Sequence, residues 1–245
     1  MNATTTETDD RHLMMRYENV SAFYGQSQIL HELSFDVPQA SVVCLLGLNG
    51  MGKTTTLRAT MGLVDRIDGR ITLNGKDLSG PTFRRSQMGV TLVPEDRKVF
   101  SNLTIRENLE VAIRPTGRSD DFSIEEVIEI FPRLSERMSQ KAGTLSGGEQ
   151  QMLVVARAML VNPAYMMLDE PTEGLAPSYV EAIRESIEAA RDRGIGVILV
   201  EQSLQLAMSV GDFFHIIENG HIAQSLTREE ALADPSRIET ALTVE

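Results

Sequence analysis

Eight residues, Gly47-Leu48-Asn49-Gly50-Met51-Gly52-Lys53-Thr54, set a lysine and a hydroxyl at the end of a glycine-rich turn, with Thr55 directly after them. The spacing is GxxxxGK[ST], the pattern of a loop that wraps phosphate groups. Gly47, Gly50 and Gly52 let the backbone curl, so that loop N–H groups, Asn49 among them, and the start of the next helix point at an anion. Lys53 can reach the β and γ phosphates of a nucleotide, Thr54 can offer its hydroxyl to Mg²⁺, and Thr55 continues the anion-binding helix start. The loop follows an apolar run ending at Leu46 and opens a helical pattern through Met61, which is the setting this chemistry requires.

Phosphate transfer also needs carboxylates. Tyr165-Met166-Met167-Leu168-Asp169-Glu170 reads as a buried strand closing on two acids, at the sheet edge where the phosphate loop also lies. Asp169 suits Mg²⁺, directly or through water, and Glu170 suits the attacking water. By itself such a pair is a common solvated strand end; the loop gives it meaning. A third motif, Leu145-Ser146-Gly147-Gly148-Glu149-Gln150-Gln151, precedes a helix running to about residue 160. Ser146 and Glu149 have the spacing of a capping box. A cap does not explain two adjacent glycines, which weaken a helix start but leave its N–H groups open to an anion. A second phosphate-binding helix end suggests two chains sharing nucleotide between them.

These motifs need a scaffold, and the pattern around them supplies one. Short β-branched runs alternate with helical periodicity, the mark of an α/β sheet with largely parallel strands. Strands are expected at 29–37, 41–46, 69–73, 90–93, 165–168, 197–200 and 213–217. From about 104 to 161 the strand pattern stops, and Ile124, Val127, Ile128 and Phe131 recur at helical spacing, so a helical insertion is expected there. Residues 1–12 read as a disordered tail, leaving 13–245 as one domain. At 245 residues the chain is long enough to bury its own core. Its formal charge of −12 gives no overall attraction to nucleic acid or anionic lipid, so neither is an expected partner. No stretch approaches the roughly 18 apolar residues of a membrane span, so a soluble chain without direct membrane insertion is expected. Cys44, the one cysteine, lies in an apolar run, which fits a reducing cytoplasm and a small core side chain. The four histidines show no metal-ligand spacing, and the twelve methionines lie mostly in apolar runs, as core filler does.

In this order the three motifs resemble the Walker A, signature and Walker B sequences of the ABC ATPases, from about Arg16 to the C-terminus. The resemblance implies a P-loop ABC ATPase fold, with a mixed sheet core, an antiparallel β region and a helical subdomain at about 104–161. It implies ATP and Mg²⁺ as cofactors, permease subunits as partners, and a second ATP-binding subunit, either a different chain or another copy of this one. In such a head-to-tail dimer Ser146, Gly147 and Gly148 would meet the γ-phosphate held by the opposite subunit, and Tyr24 would stack on adenine. Chromosome-maintenance ATPases of the same superfamily place a long coiled coil between Walker A and signature; here Lys53 and Leu145 are only 92 positions apart.

Three positions depart from the common pattern. Glu95 stands at the Q-loop, where it would approach nucleotide and metal; Ala176 replaces the usual D-loop aspartate; Gln202 replaces the switch histidine. VPEDRKVF, LDEPTEGLAP and VEQS together are similar to one ATPase subunit of the branched-chain or hydrophobic amino-acid importers, whose usual partner is a second, different ATPase. The implied location is cytoplasmic, on the inner face of the membrane through the permease. Other cargo, as in a urea or amide importer or an exporter, is the alternative, because the motor chemistry is common to all of them.

Overall fold

A computed structural model describes residues 14–117 and 120–242; the tail expected at 1–12 lies outside the described residues. Two sheets stack on each other. The central sheet has six strands in the order β10-β9-β3-β8-β7-β6, drawn from β3 (Val42–Leu46), β6 (Val90–Val93), β7 (Tyr165–Asp169), β8 (Gly196–Val200), β9 (Phe213–Glu218) and β10 (His221–Thr227). All neighbours are parallel except β9 and β10. Strands β3, β7 and β8 are buried along their whole length, which is why they read as unbroken apolar runs. Alternate residues of β3 serve two cores. Val42, Cys44 and Leu46 face helices α6 (Gly147–Leu160), α7 (Pro177–Asp192) and α8 (Leu204–Val210), while Val43 and Leu45 face the second sheet and α1 (Lys53–Met61). Cys44 is fully buried, its sulfur 3.8 Å from the Ala207 carbonyl oxygen, and burial pushes its thiol pKa up.

The second sheet is antiparallel, in the order β2-β1-β4-β5, from β1 (Met14–Tyr24), β2 (Ser27–Pro38), β4 (Arg66–Leu73) and β5 (Lys76–Asp77). Residue patterning had placed 29–37 and 69–73 in one largely parallel sheet; they lie instead in this separate layer, as the family resemblance implied. It is pinned to the rest from two sides. The Tyr17 ring stacks on Phe35 at 4.1 Å with its hydroxyl 2.6 Å from Thr60 on α1, and the Tyr165 hydroxyl donates to the Val37 carbonyl at 3.1 Å.

Strands β1 and β10, like the two-residue β5, are absent from the patterning expectation for physical reasons. β1 is interrupted by register shifts around Val20, next to Asn19 at φ 50, so its alternation breaks. β10 is a solvated edge in which Leu226 alone is fully buried. Helix α2 (Thr82–Gln87) leads into β6, and between β6 and β7 the chain forms α3 (Ile105–Glu110), α4 (Ile124–Ile130), α5 (Pro132–Ser135) and then α6. Three of these start with a complete capping box, at Thr104/Glu107, Ser123/Glu126 and Ser146/Glu149. Among the described residues no helix is long and apolar enough to cross a membrane.

Candidate active site

The parallel strands β3, β7 and β8 deliver the glycine-rich loop, the carboxylate pair and Gln202 to one edge of the central sheet, the edge formed by strand C-termini. The turn out of β3 must be tight. Gly47 has φ 151, and a methyl there would lie 2.4 Å from the carbonyl oxygen of Ile217 on β9. The loop tip is braced from outside, since Gly220 N–H donates to the Met51 carbonyl at 3.0 Å.

Lys53 is 3% exposed, and its Nζ donates to the carbonyls of Gly47 at 2.8 Å and Leu48 at 3.0 Å. The same ammonium lies 3.5 Å from Glu170 Oε1. The Thr54 hydroxyl donates to Asp169 Oδ1 at 2.8 Å, so a hydroxyl and a carboxylate share one corner. Burial is the largest influence on the Asp169 carboxyl and pushes its pKa up; the Thr54 hydroxyl acts in the opposite sense. Glu170 breaks from the strand at φ 46, a left-handed conformation rare outside glycine and held here by its N–H bond to the Val200 carbonyl at 2.9 Å. Gln202 Nε2 donates both to Glu170 Oε2 and to Asn49 Oδ1, each at 2.7 Å. One amide thereby links the carboxylate to the glycine-rich loop.

Asn49, Gly50, Gly52, Lys53, Thr54, Thr55, Glu95 and Glu170 line a single cavity of about 260 Å³ together with Glu173. The Glu95 carboxyl is pushed up by its partial burial, then by the charges of Glu173 and Glu170 and a hydrogen bond with Glu173. Ser146, Gly147, Gly148 and Tyr24 do not line this cavity. The first three open α6, where Ser146 accepts from Glu149 N–H and the Glu149 carboxylate accepts from Ser146 N–H at 2.9 Å. Ser146 and Gly147 are exposed, whereas Gly148 is buried: a methyl on it would lie 2.6 Å from the Tyr179 ring of α7. An acidic side chain at 148 would therefore disturb the chain's own packing as well as any incoming anion. Tyr24 stands at the β1–β2 turn, beside Phe23, whose ring already carries the Arg66 guanidinium at 3.7 Å.

Sequence reasoning passed over Glu173, Arg97 and Glu201. Glu201 is 3% exposed, and its Oε1 accepts from the Thr172 hydroxyl at 2.6 Å and Thr172 N–H at 3.2 Å, while Oε2 accepts from Ser203 N–H at 3.3 Å. It ties the segment after Glu170 to the segment carrying Gln202. A glutamate inside an apolar strand end was the available signal, since a buried carboxylate must be hydrogen-bonded. Among the described residues no cluster of three or more His, Cys, Asp or Glu side chains is arranged to hold a metal ion.

The chain is similar to known proteins over most of its length. The family model described as ABC transporter matches residues 30–173. The branched-chain amino acid transport ATP-binding protein BraG of Pseudomonas aeruginosa is 41% identical over 224 residues, 91% of this chain and 96% of BraG. The probable branched-chain amino acid transport ATP-binding protein LivF of Archaeoglobus fulgidus is 35% identical over 89% of this chain and 94% of its own. The lipopolysaccharide export system ATP-binding protein LptB of Haemophilus influenzae is 33% identical, covering 89% of this chain and 92% of LptB. A solved ATP-binding subunit of an ABC transporter superposes with a TM-score of 0.81 at 28% identity, covering 94% of this chain and all of that one.

Proposed function

The chain belongs to the ABC transporter family as an ATP-hydrolysing subunit, and from that premise we propose that it drives import of branched-chain or other hydrophobic amino acids, as one of two cassettes paired head to tail. The observation that carries the catalytic part is the convergence of Lys53, Thr54, Asp169 and Glu170 on one sheet edge. The cargo assignment is supported by the similarity to BraG and LivF, each named for branched-chain amino acid transport. It is also supported by the segments VPEDRKVF, LDEPTEGLAP and VEQS, which are similar to one ATPase subunit of those importers.

In this reading the glycine-rich loop and the start of α1 wrap the phosphates of ATP, and Lys53 turns its N–H bonds from the Gly47 and Leu48 carbonyls to phosphate oxygens. Thr54 and Asp169 would hold a magnesium ion: both are hard oxygen donors and they already meet at 2.8 Å. That ion would offset negative charge on the phosphates. Glu95 reaches the same cavity as a further oxygen donor to metal or water. Glu170 orients a water and takes its proton as the water oxygen bonds to the γ-phosphorus; the bond to the β–γ bridging oxygen breaks, leaving ADP and phosphate. Gln202 fixes the Glu170 carboxylate by hydrogen bonding, without the titration near neutral pH that a histidine would bring. Tyr24, rather than Phe23, is left to stack on adenine, because Arg66 covers the Phe23 face. Ser146, Gly147 and Gly148 present the α6 N-terminus to the nucleotide of the partner cassette, and the exposure of Ser146 and Gly147 supports that role.

Reconstitution of the chain with its permease subunits and binding protein in liposomes tests the cargo: ATP-dependent uptake of labelled leucine, isoleucine or valine is expected. Uptake of none of them, with uptake of an unrelated solute, would overturn the amino-acid reading and keep the motor. Gln202→Ala is expected to lower kcat by roughly 10- to 150-fold through loss of a hydrogen bond to a charged group worth about 1.5–3 kcal/mol, with ATP affinity unchanged. Steady-state ATPase rates of the assembled transporter check this, with the partner cassette made catalytically silent. An unchanged kcat would reduce Gln202 to a filler at the end of β8.

A further inference from the structure

Arg97 follows β6 by four residues and carries two local costs. Its backbone sits at φ 49, in the left-handed region that few residues other than glycine occupy. Its guanidinium lies against the N-terminus of α6, so that a methyl on Gly147 would be 2.9 Å from Nη1; a cation beside the positive end of a helix is electrostatically unfavourable. From that position Nη2 donates to the carbonyl oxygen of Glu173. One side chain thus bridges three segments: its own, which holds Glu95; the loop after Glu170, which holds Glu173; and the glycine turn that opens α6.

The first two segments supply Glu95 and Glu173 to the phosphate cavity, where the two carboxyl side chains line the same wall. Nucleotide and its magnesium ion entering that cavity change the charge that faces both side chains, with partial shielding from water, so the placement of this pair depends on whether the site is loaded. Arg97 is two residues from one member and bonded to the backbone of the other. Its far end touches Gly147, which does not line the cavity and is exposed.

We propose that Arg97 is a positioning residue that couples this chain's own nucleotide cavity to the glycine turn it presents to the partner's nucleotide. The proposal rests on the two-cassette reading above. The strut transmits the rearrangement of Glu95 and Glu173 to the start of α6, so that loading of one site sets the geometry offered to the other. It also gives Gly147 an intrachain reason to lack a side chain, separate from any phosphate contact.

Hydrogen–deuterium exchange on the purified chain, at concentrations where sedimentation shows a monomer, reads the coupling directly. With a non-hydrolysable ATP analogue and magnesium chloride, amides of 147–150 in the wild type are expected to change exchange rate by about threefold or more. Arg97→Ala is expected to keep analogue affinity by calorimetry and to lose that remote change, with Arg97→Lys restoring part of it. An equal change in Arg97→Ala, no change in the wild type, or loss of analogue affinity in the variant would each overturn the coupling. A wild type that binds no analogue would sink the function reading alone. The nucleotide-free arm then still decides the strut, because Arg97→Ala must speed exchange in both 146–150 and 172–175. Faster exchange in only one of those segments counts against it.

Discussion

Replacing Glu170 by glutamine is expected to lower ATP turnover by roughly 10²–10⁴-fold, the usual contribution of a positioned general base, while ATP binding persists. The structure adds a sign to the binding term. Glu170 Oε1 lies 3.5 Å from Lys53 Nζ, and Oε2 accepts from Gln202. An amide at 170 keeps an oxygen for Gln202 but ends the ion pair, so Lys53 is released toward phosphate. ATP affinity should therefore be equal to or tighter than that of the wild type, and a nucleotide-sandwiched dimer should accumulate. Calorimetry and single-turnover hydrolysis separate the two effects. Turnover within threefold of the wild type would remove Glu170 as the group that activates water.

Lys53→Ala is expected to have the opposite signature, with ATP binding lost before chemistry is reached. Two charge-assisted hydrogen bonds to phosphate, at about 1.5–3 kcal/mol each, correspond to a weakening of roughly 150-fold or more. Lys53 is also buried and satisfies the Gly47 and Leu48 carbonyls, so truncation leaves acceptors and a void behind. Lys53→Met, which keeps most of the side-chain volume, separates loss of charge from loss of packing. Both variants should show the same loss of affinity and leave the two carbonyls without their donor, and the alanine variant, which adds a void, should melt earlier than the methionine variant. Wild-type affinity in the methionine variant would mean that loop N–H groups alone hold the phosphates.

What could be read in advance follows from which interactions are local. β3, β7 and β8 were legible because strands buried on both faces must be apolar throughout, and the loop between β3 and α1 because its chemistry is confined to eight consecutive residues. The cap on α6 was legible for the same reason, since Ser146 and Glu149 are three residues apart. Sheet membership was not legible from patterning: 29–37 alternates as an antiparallel strand does, but only tertiary pairing with β1 assigns it to a separate layer. At the site, Glu201, Glu173 and Arg97 act through partners 29 and 76 positions distant or across the cavity, and no spacing rule reaches that far. The link from Gln202 to Asn49, 153 positions apart, was equally invisible.

Cys44 is fully buried beneath α8 with its thiol pushed toward the protonated form, and the sequence contains no other cysteine. Thiolate chemistry at this position is thus suppressed by both access and ionisation. For anyone wishing to watch the cassette move, the natural chain is already a blank background. A single cysteine introduced on an exposed turn, for example at Asn102, would be the one group in this sequence that takes up a maleimide fluorophore or spin label. A pair placed on facing surfaces of two cassettes could be cross-linked without first editing a native residue out of β3.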